Sequence, residues 1–223
     1  MGSQQHAQAA LNFSYVLHER SDSDTVRTYV RARDAERRKC SQAIRELTRL
    51  PDAELQRRLI VLDQTGTSAS PEPNGVQIVS VDLGTGELFP RLLHVADIIR
   101  PGTLTFGSLL DGSSADHDRP LTFFGAPARL SRPIAPSDSR GRLLFASAVL
   151  RPGYSSILLR VTSLAADSET GAPDWQHATQ LAEAVIREFP LQWWCERALW
   201  SRPAEETLPE FRSTGNGTTA CGH

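Results

Sequence analysis

Hydrophobic positions along the chain fall into three regimes. In residues 24–50, Val26, Tyr29, Val30, Cys40, Ile44 and Leu47 recur at helical spacing, and Ser23 or Asp24 stands where a helix N-cap belongs. Arg33, Arg37 and Arg38 interrupt that stripe, so one end of the helix is expected to pack on the core and the other to remain exposed. In residues 52–62, Leu55, Leu59 and Leu62 also share a helical face, yet residues 59–62 are equally an aliphatic strand; periodicity leaves both open. The middle then changes to short extended runs at 76–81, 88–95, 121–124, 142–150 and 155–163. Turn chemistry at 82–87 and at Arg151-Pro152-Gly153 predicts two hairpins, 76–81 with 88–95 and 142–150 with 155–163. Pro90 pushes its run towards a sheet edge. Pro173 and Asp174 open a last clear helix whose face holds Leu181, Val185, Ile186 and Phe189, and Pro190 ends it. A further apolar helical turn or two is expected across 191–200.

Hairpins in the middle and helices outside predict an α+β fold: a single antiparallel sheet of about five strands with N- and C-terminal helices packed on one face. The polar residues 1–23 read as a flexible lead, 24–200 as the globular domain, and 201–223 as a disordered tail rich in Pro, Glu, Thr and Gly. Residues 66–75, 97–120 and 131–141 read as loops.

Composition narrows function mainly by exclusion. Hydrophobic residues make up 39% and charged residues 22% of the 223, with a formal net charge of −2, so no global electrostatic attraction to nucleic acid or anionic membrane is expected. The longest largely apolar stretch, 143–150, falls far short of the roughly 20 residues of a membrane span. The start lacks the basic and apolar regions of a secretory signal. The three cysteines, Cys40, Cys195 and Cys221, are far apart, which fits a reduced, cytoplasmic setting. Lys39 is the only lysine. It supplies no Gly-Lys-Ser/Thr phosphate loop, and no Gly-x-Ser-x-Gly elbow occurs. No cofactor and no metal site is expected.

Acid–base residues are dense in one place, residues 111–118, which hold Asp111, Asp116, His117 and Asp118. A histidine flanked by carboxylates suits a general base or a metal ligand, and equally a solvated loop rich in Asx turns. Trp193, Trp194 and Trp200 offer either core packing or a protein-binding face. The Arg-rich helix 24–50 offers a solvated face or a nucleic-acid contact.

As an ordered string, residues 52–190 resemble a GAF-type sensor domain. The phrase that carries this is the strand at 75–82, then Thr85-Gly86-Glu87-Leu88 and a returning run at 91–95, followed by a glycine-rich connection and Asp118-Arg119-Pro120-Leu121 leading into a strand. The resemblance implies a regulatory, non-catalytic module that binds a small molecule between its sheet and the 97–120 connection, beside Ser108, Asp111, Asp116, His117 and Arg119. Two alternatives stand next to it. One is a hydrolase or metal-assisted enzyme using residues 111–118. The other is a partner- or nucleic-acid-binding protein using helix 24–50. No catalytic residue is assigned.

Overall fold

A computed structural model of the chain describes residues 2–64, 76–81, 85, 88–98, 104–108, 121–130, 142–165, 173–195 and 199–212. Helix α1 (Gly2–Leu17) precedes the long helix α2 (Asp24–Thr48), the short helix α3 (Asp52–Arg58) and strand β1 (Leu59–Gln64). Then come β2 (Val76–Val81), α4 (Leu88–Val95), β3 (Leu104–Ser108), β4 (Leu121–Phe123), β5 (Ala126–Ala128), β6 (Arg142–Leu150), β7 (Ile157–Ser163) and α5 (Trp175–Glu188). A 3-10 turn at Pro190–Gln192 and two four-residue helices, α6 (Ala204–Thr207) and α7 (Pro209–Arg212), follow.

The architecture is mixed α+β, with helices from both ends of the chain packed on the β region. Its details depart from the expected sheet in three ways. Among the described residues there are two sheets: a five-stranded one in the order β1-β7-β6-β2-β3 and a separate β4-β5 ribbon. The larger sheet is mixed, not antiparallel. Only β6 and β7 pair antiparallel, whereas β1 with β7, β2 with β6 and β2 with β3 run parallel. Finally, the helices cover both faces. Residues 143, 145 and 149 of β6 join one apolar cluster and 144, 146, 148 and 150 the other, so this central strand is buried on both sides and reads as a continuous apolar run.

The hairpin expected from 76–81 and 88–95 is instead a strand followed by helix α4. Pro90 fits the first helical turn, where its missing N–H is not needed. Leu88, Phe89, Leu92 and Leu93 then share one buried helical face. That helix is the crossover a parallel β2–β3 pair requires. The second hairpin forms as expected, with Leu150 opposite Ile157. The ambiguous stretch 52–62 proves to be both: helix to Arg58, strand from Leu59.

Composition misread the two ends. Residues 2–17 are helical and contribute Ala9, Phe13, Tyr15 and Val16 to the core. Their partners lie near the other terminus. The Tyr15 ring stacks on Trp200 at 4.1 Å, and its hydroxyl bonds Arg202 O (2.8 Å) and Thr207 Oγ1 (2.9 Å). Ala204 N–H donates to Ser14 Oγ, and Ser21 donates from both N–H and Oγ to Glu205. Residues 199–212 are therefore anchored through Leu199, Trp200, Ala204 and Leu208; 213–223 lie outside the described residues. A few long aromatic side chains suffice to dock such polar segments, because each buries a large apolar area.

Helix α2 organises the molecule. Ser23 caps it, its Oγ accepting from Val26 N–H. Over 25 residues it spans roughly 37 Å at 1.5 Å per residue. Val26 and Val30 pack in the first cluster, while Cys40, Ala43 and Leu47 pack in the second. The gap in its apolar stripe is where it passes from one face of the sheet to the other. Its far end is held by Arg91 of α4, which ion-pairs Asp52 (2.6 Å), donates to Thr48 O (2.7 Å) and also bonds Leu50 O.

Two glutamines complete the strand ends. β2 stops opposite Ser147, so Leu150 lacks a strand neighbour on that side. The buried Gln192 supplies one: Leu150 N–H donates to its Oε1 (2.9 Å), and its Nε2 donates to Leu150 O (2.7 Å). Gln176 does the same for Thr122 of β4. We expect Gln192→Ala to lower stability by about 2–4 kcal/mol, since it strands a buried donor and acceptor together. Gln192→Glu should be at least as damaging, because a carboxylate then faces Leu150 O. Urea midpoints of the three proteins measure this. At Arg91, Arg91→Lys should recover little of what Arg91→Ala loses, because an ammonium cannot reproduce the guanidinium fork; thermal melts of the pair check it.

Candidate functional site

Where α2 changes faces it meets the β6–β7 turn. Arg151 N–H donates to Ser156 O and Tyr154 N–H to Arg151 O (2.9 Å), with Pro152 and Gly153 between them. Gly153 takes φ +87 and Tyr154 takes φ +56. Glycine adopts the left-handed region freely, whereas a bulky residue there carries a cost of order 1 kcal/mol. The Tyr154 hydroxyl donates to Glu36 Oε2 at 2.7 Å, and Cys40 Sγ lies 3.7 Å from Glu36 Oε1. Glu36 and Cys40 are one helical turn apart, so one carboxylate serves both groups.

This hub separates two cavities. The first, of about 470 Å³, lies between α2, the turn and the end of α5, and is walled by Tyr29, Ala32, Glu36, Tyr154, Phe189 and Leu191. The Gln192 clamp forms part of its wall. At its rim Glu188 ion-pairs Arg160 (2.6 Å), whose guanidinium sits 5.6 Å over the Phe189 ring. The second, of about 450 Å³, lies on the far side of the turn and is bordered by Lys39, Glu46, Leu47, Arg58 and again Tyr154. The first has the size and apolar, aromatic lining of a small-molecule site.

The protonation chemistry of the hub is conservative. The Glu36 hydrogen bond, helped by burial, pushes the Tyr154 phenol up to about 12. Burial, then Glu36, pushes the Cys40 thiol up to about 12. Neither is an anion at neutral pH, so neither is a nucleophile there. The Arg160 hydrogen bond holds Glu188 below the usual carboxylate range against the opposing effect of burial. Each shift locks a group in the charge state it would have in water, the opposite of the tuning that acid–base catalysis needs. Among the described residues no group of three His, Cys, Asp or Glu side chains is placed to hold a metal ion, and no helix is long and apolar enough to cross a membrane.

Of the residues expected to bind ligand, Ser108 alone is described. Ser108 ends β3, opposite Ser80 of β2. Asp111, Asp116, His117 and Arg119 lie outside the described residues, as does the rest of the 111–118 cluster. The aromatic cluster forms with two of the three tryptophans. Trp193 and Trp200 are buried among Phe13, Tyr15, Phe123 and Phe124. Trp194 is half-buried under Arg37 (5.8 Å), its indole N–H donating to Leu191 O. Arg27, Arg31 and Arg38 are exposed, as a solvated face requires. Sequence reading missed Glu36 and Tyr154, which stand 118 positions apart; the one local sign was the charged gap in the α2 stripe.

The Tyr154 proton is held above its ordinary value of 10.0, so this bond stabilises fully up to the unfolded value and is lost as pH rises towards about 12. Glu36→Gln should bring that phenol back towards its ordinary range and weaken the alkaline loss of stability. Phenolate absorbance, with Tyr154→Phe as the reference, reads it; an unchanged titration in Glu36→Gln would contradict the assignment.

No protein-family model matches the chain, and no curated protein matches it.

Proposed function

We propose that the protein is a non-catalytic, ligand-sensing module whose site is the cleft between α2, the β6–β7 turn and the end of α5. The observation that carries this is Tyr154: a bulky residue in a left-handed conformation, tied to Glu36 and standing between two cavities. Backbone held in a sparsely populated region persists because its surroundings over-determine it, and such residues concentrate at ligand clamps and switches. A ligand that takes Glu36 as its own acceptor releases Tyr154 and lets the turn relax. The site thereby has two states whose balance a ligand can bias.

The lining sets the ligand class. Tyr29 and Phe189 offer ring faces, and Leu150 and Leu191 offer aliphatic walls. Glu36 offers a carboxylate. An apolar molecule with a hydrogen-bond-donating or cationic end fits Glu36 better than an anionic one does; the other charges at the space are Arg151 and Glu188, the latter paired with Arg160. The GAF-like layout gives this reading no further support, since the returning strand of its phrase at 91–95 is helix α4. A protein partner, if one reads the bound state, has Trp194, which unlike Trp193 and Trp200 is not buried, beside the same α2 surface.

The test uses three indole probes of equal size: tryptamine, tryptophol and indole-3-acetate. Thermal stabilisation should follow the order amine, alcohol, acid, and a probe at a hundred times its Kd adds about 2.7 kcal/mol. Ala32→Trp, which fills the cleft from α2, should abolish the shift while melting near the wild type. Equal stabilisation by the acid, or stabilisation that survives in Ala32→Trp, would remove the cleft from consideration.

A further inference from the structure

β1 is an edge strand of the larger sheet, hydrogen-bonded on one side to β7. Its side chains alternate across the two faces, as in any strand. Both sets are nonetheless exposed: Ile60 37%, Val61 37% and Leu62 43%. Ile60 and Leu62 lie on the face of Leu158 and Arg160, and Val61 on the face of Leu159. No other large hydrophobic residue among those described is exposed to this degree. Ile60, Val61 and Leu62 thus form a continuous exposed apolar run. Residues 59–64 contain no proline, lysine or glycine to blunt a free edge, and Asp63 is their one charge.

The charges at its ends give the occupant. Arg57 and Arg58 close α3 at the start of the strand, set against the single carboxylate of Glu54. Asp63 lies near the other end. Laid antiparallel on itself, the strand puts each Asp63 beside the basic start of its mate; laid parallel, it puts like charges side by side. A symmetric pairing must match residues of one parity, because backbone groups on a given edge recur every second residue. The register centred on Val61 meets that rule. It sets Val61 against Val61 and Ile60 against Leu62, so the whole exposed triplet is covered. We propose that two copies of the chain associate through β1, paired antiparallel about Val61, to form one continuous ten-stranded sheet.

The contact is one strand wide on each side, so the dimer is weak and concentration-dependent. Sedimentation velocity on the full chain should show a monomer–dimer equilibrium that Val61→Lys shifts at least tenfold towards monomer, with an unchanged melting temperature. Should Val61→Lys fold poorly, disulfide trapping replaces it. In a Cys195→Ser, Cys221→Ser background, Val61→Cys should cross-link on mild oxidation, because directly opposed Cα atoms stand about 4.5–5.5 Å apart. Leu59→Cys, whose mate would be residue 63, should not. A wild type that stays monomeric at every concentration would overturn the proposal, including when another protein occupies the edge. So would a dimer that Val61→Lys leaves intact or that traps no better at residue 61 than at 59. None of these readouts depends on the cleft.

Discussion

The structure depends on one helix belonging to two cores. A five-stranded sheet buried on both faces needs apolar cover on each side, and covers made of separate elements are held together only through the sheet. Helix α2 removes that weakness: Val26 and Val30 serve one cluster, Cys40, Ala43 and Leu47 the other. The cost falls at the crossing, where the helix leaves one face before it has reached the next. Polar side chains stand there, and Glu36 is bound to the β6–β7 turn rather than to water alone. The cleft and the hub are consequences of this crossing, since a rigid helix passing a sheet end cannot fill the space on both sides of a protruding turn.

Gln192 settles where that turn sits. β6 outruns β2, and an unpaired peptide in a buried strand would be costly. A side-chain amide reproduces the donor and acceptor of a missing strand, which fixes the end of α5 against the start of the turn. The distance between those two elements is the width of the cleft. Packing and hydrogen bonding between these elements thus set the shape of the cleft.

Local chemistry made part of this legible in the sequence. Ser23, Asp174 and Pro190 marked helix ends, and Arg151-Pro152-Gly153 marked the β6–β7 turn, because caps and turns are decided by a few adjacent residues. Residues 88–95 misled because Pro90 suits an edge strand and a first helical turn equally, and only the parallel neighbours β2 and β3 demand a helix between them. The parallel pairing of β1 with β7, nearly a hundred positions away, leaves no local mark. The ends misled for a related reason: Phe13 and Tyr15 look isolated in a polar stretch until Trp193 and Trp200 are placed beside them. The site was least legible, since its two central side chains come from opposite halves of the chain and neither carries a motif.

The clasp between α1 and residues 199–208 also bears on the order in which the molecule is made. During synthesis α1 emerges well before the groups that cover Tyr15, which are Trp200, Arg202 and Thr207. Until they follow, Phe13 can already meet Tyr29 of α2 but Tyr15 lacks its cover, an exposure that makes the nascent protein more prone to associate than the finished one. Loss of residues 200–207 would recreate that state permanently.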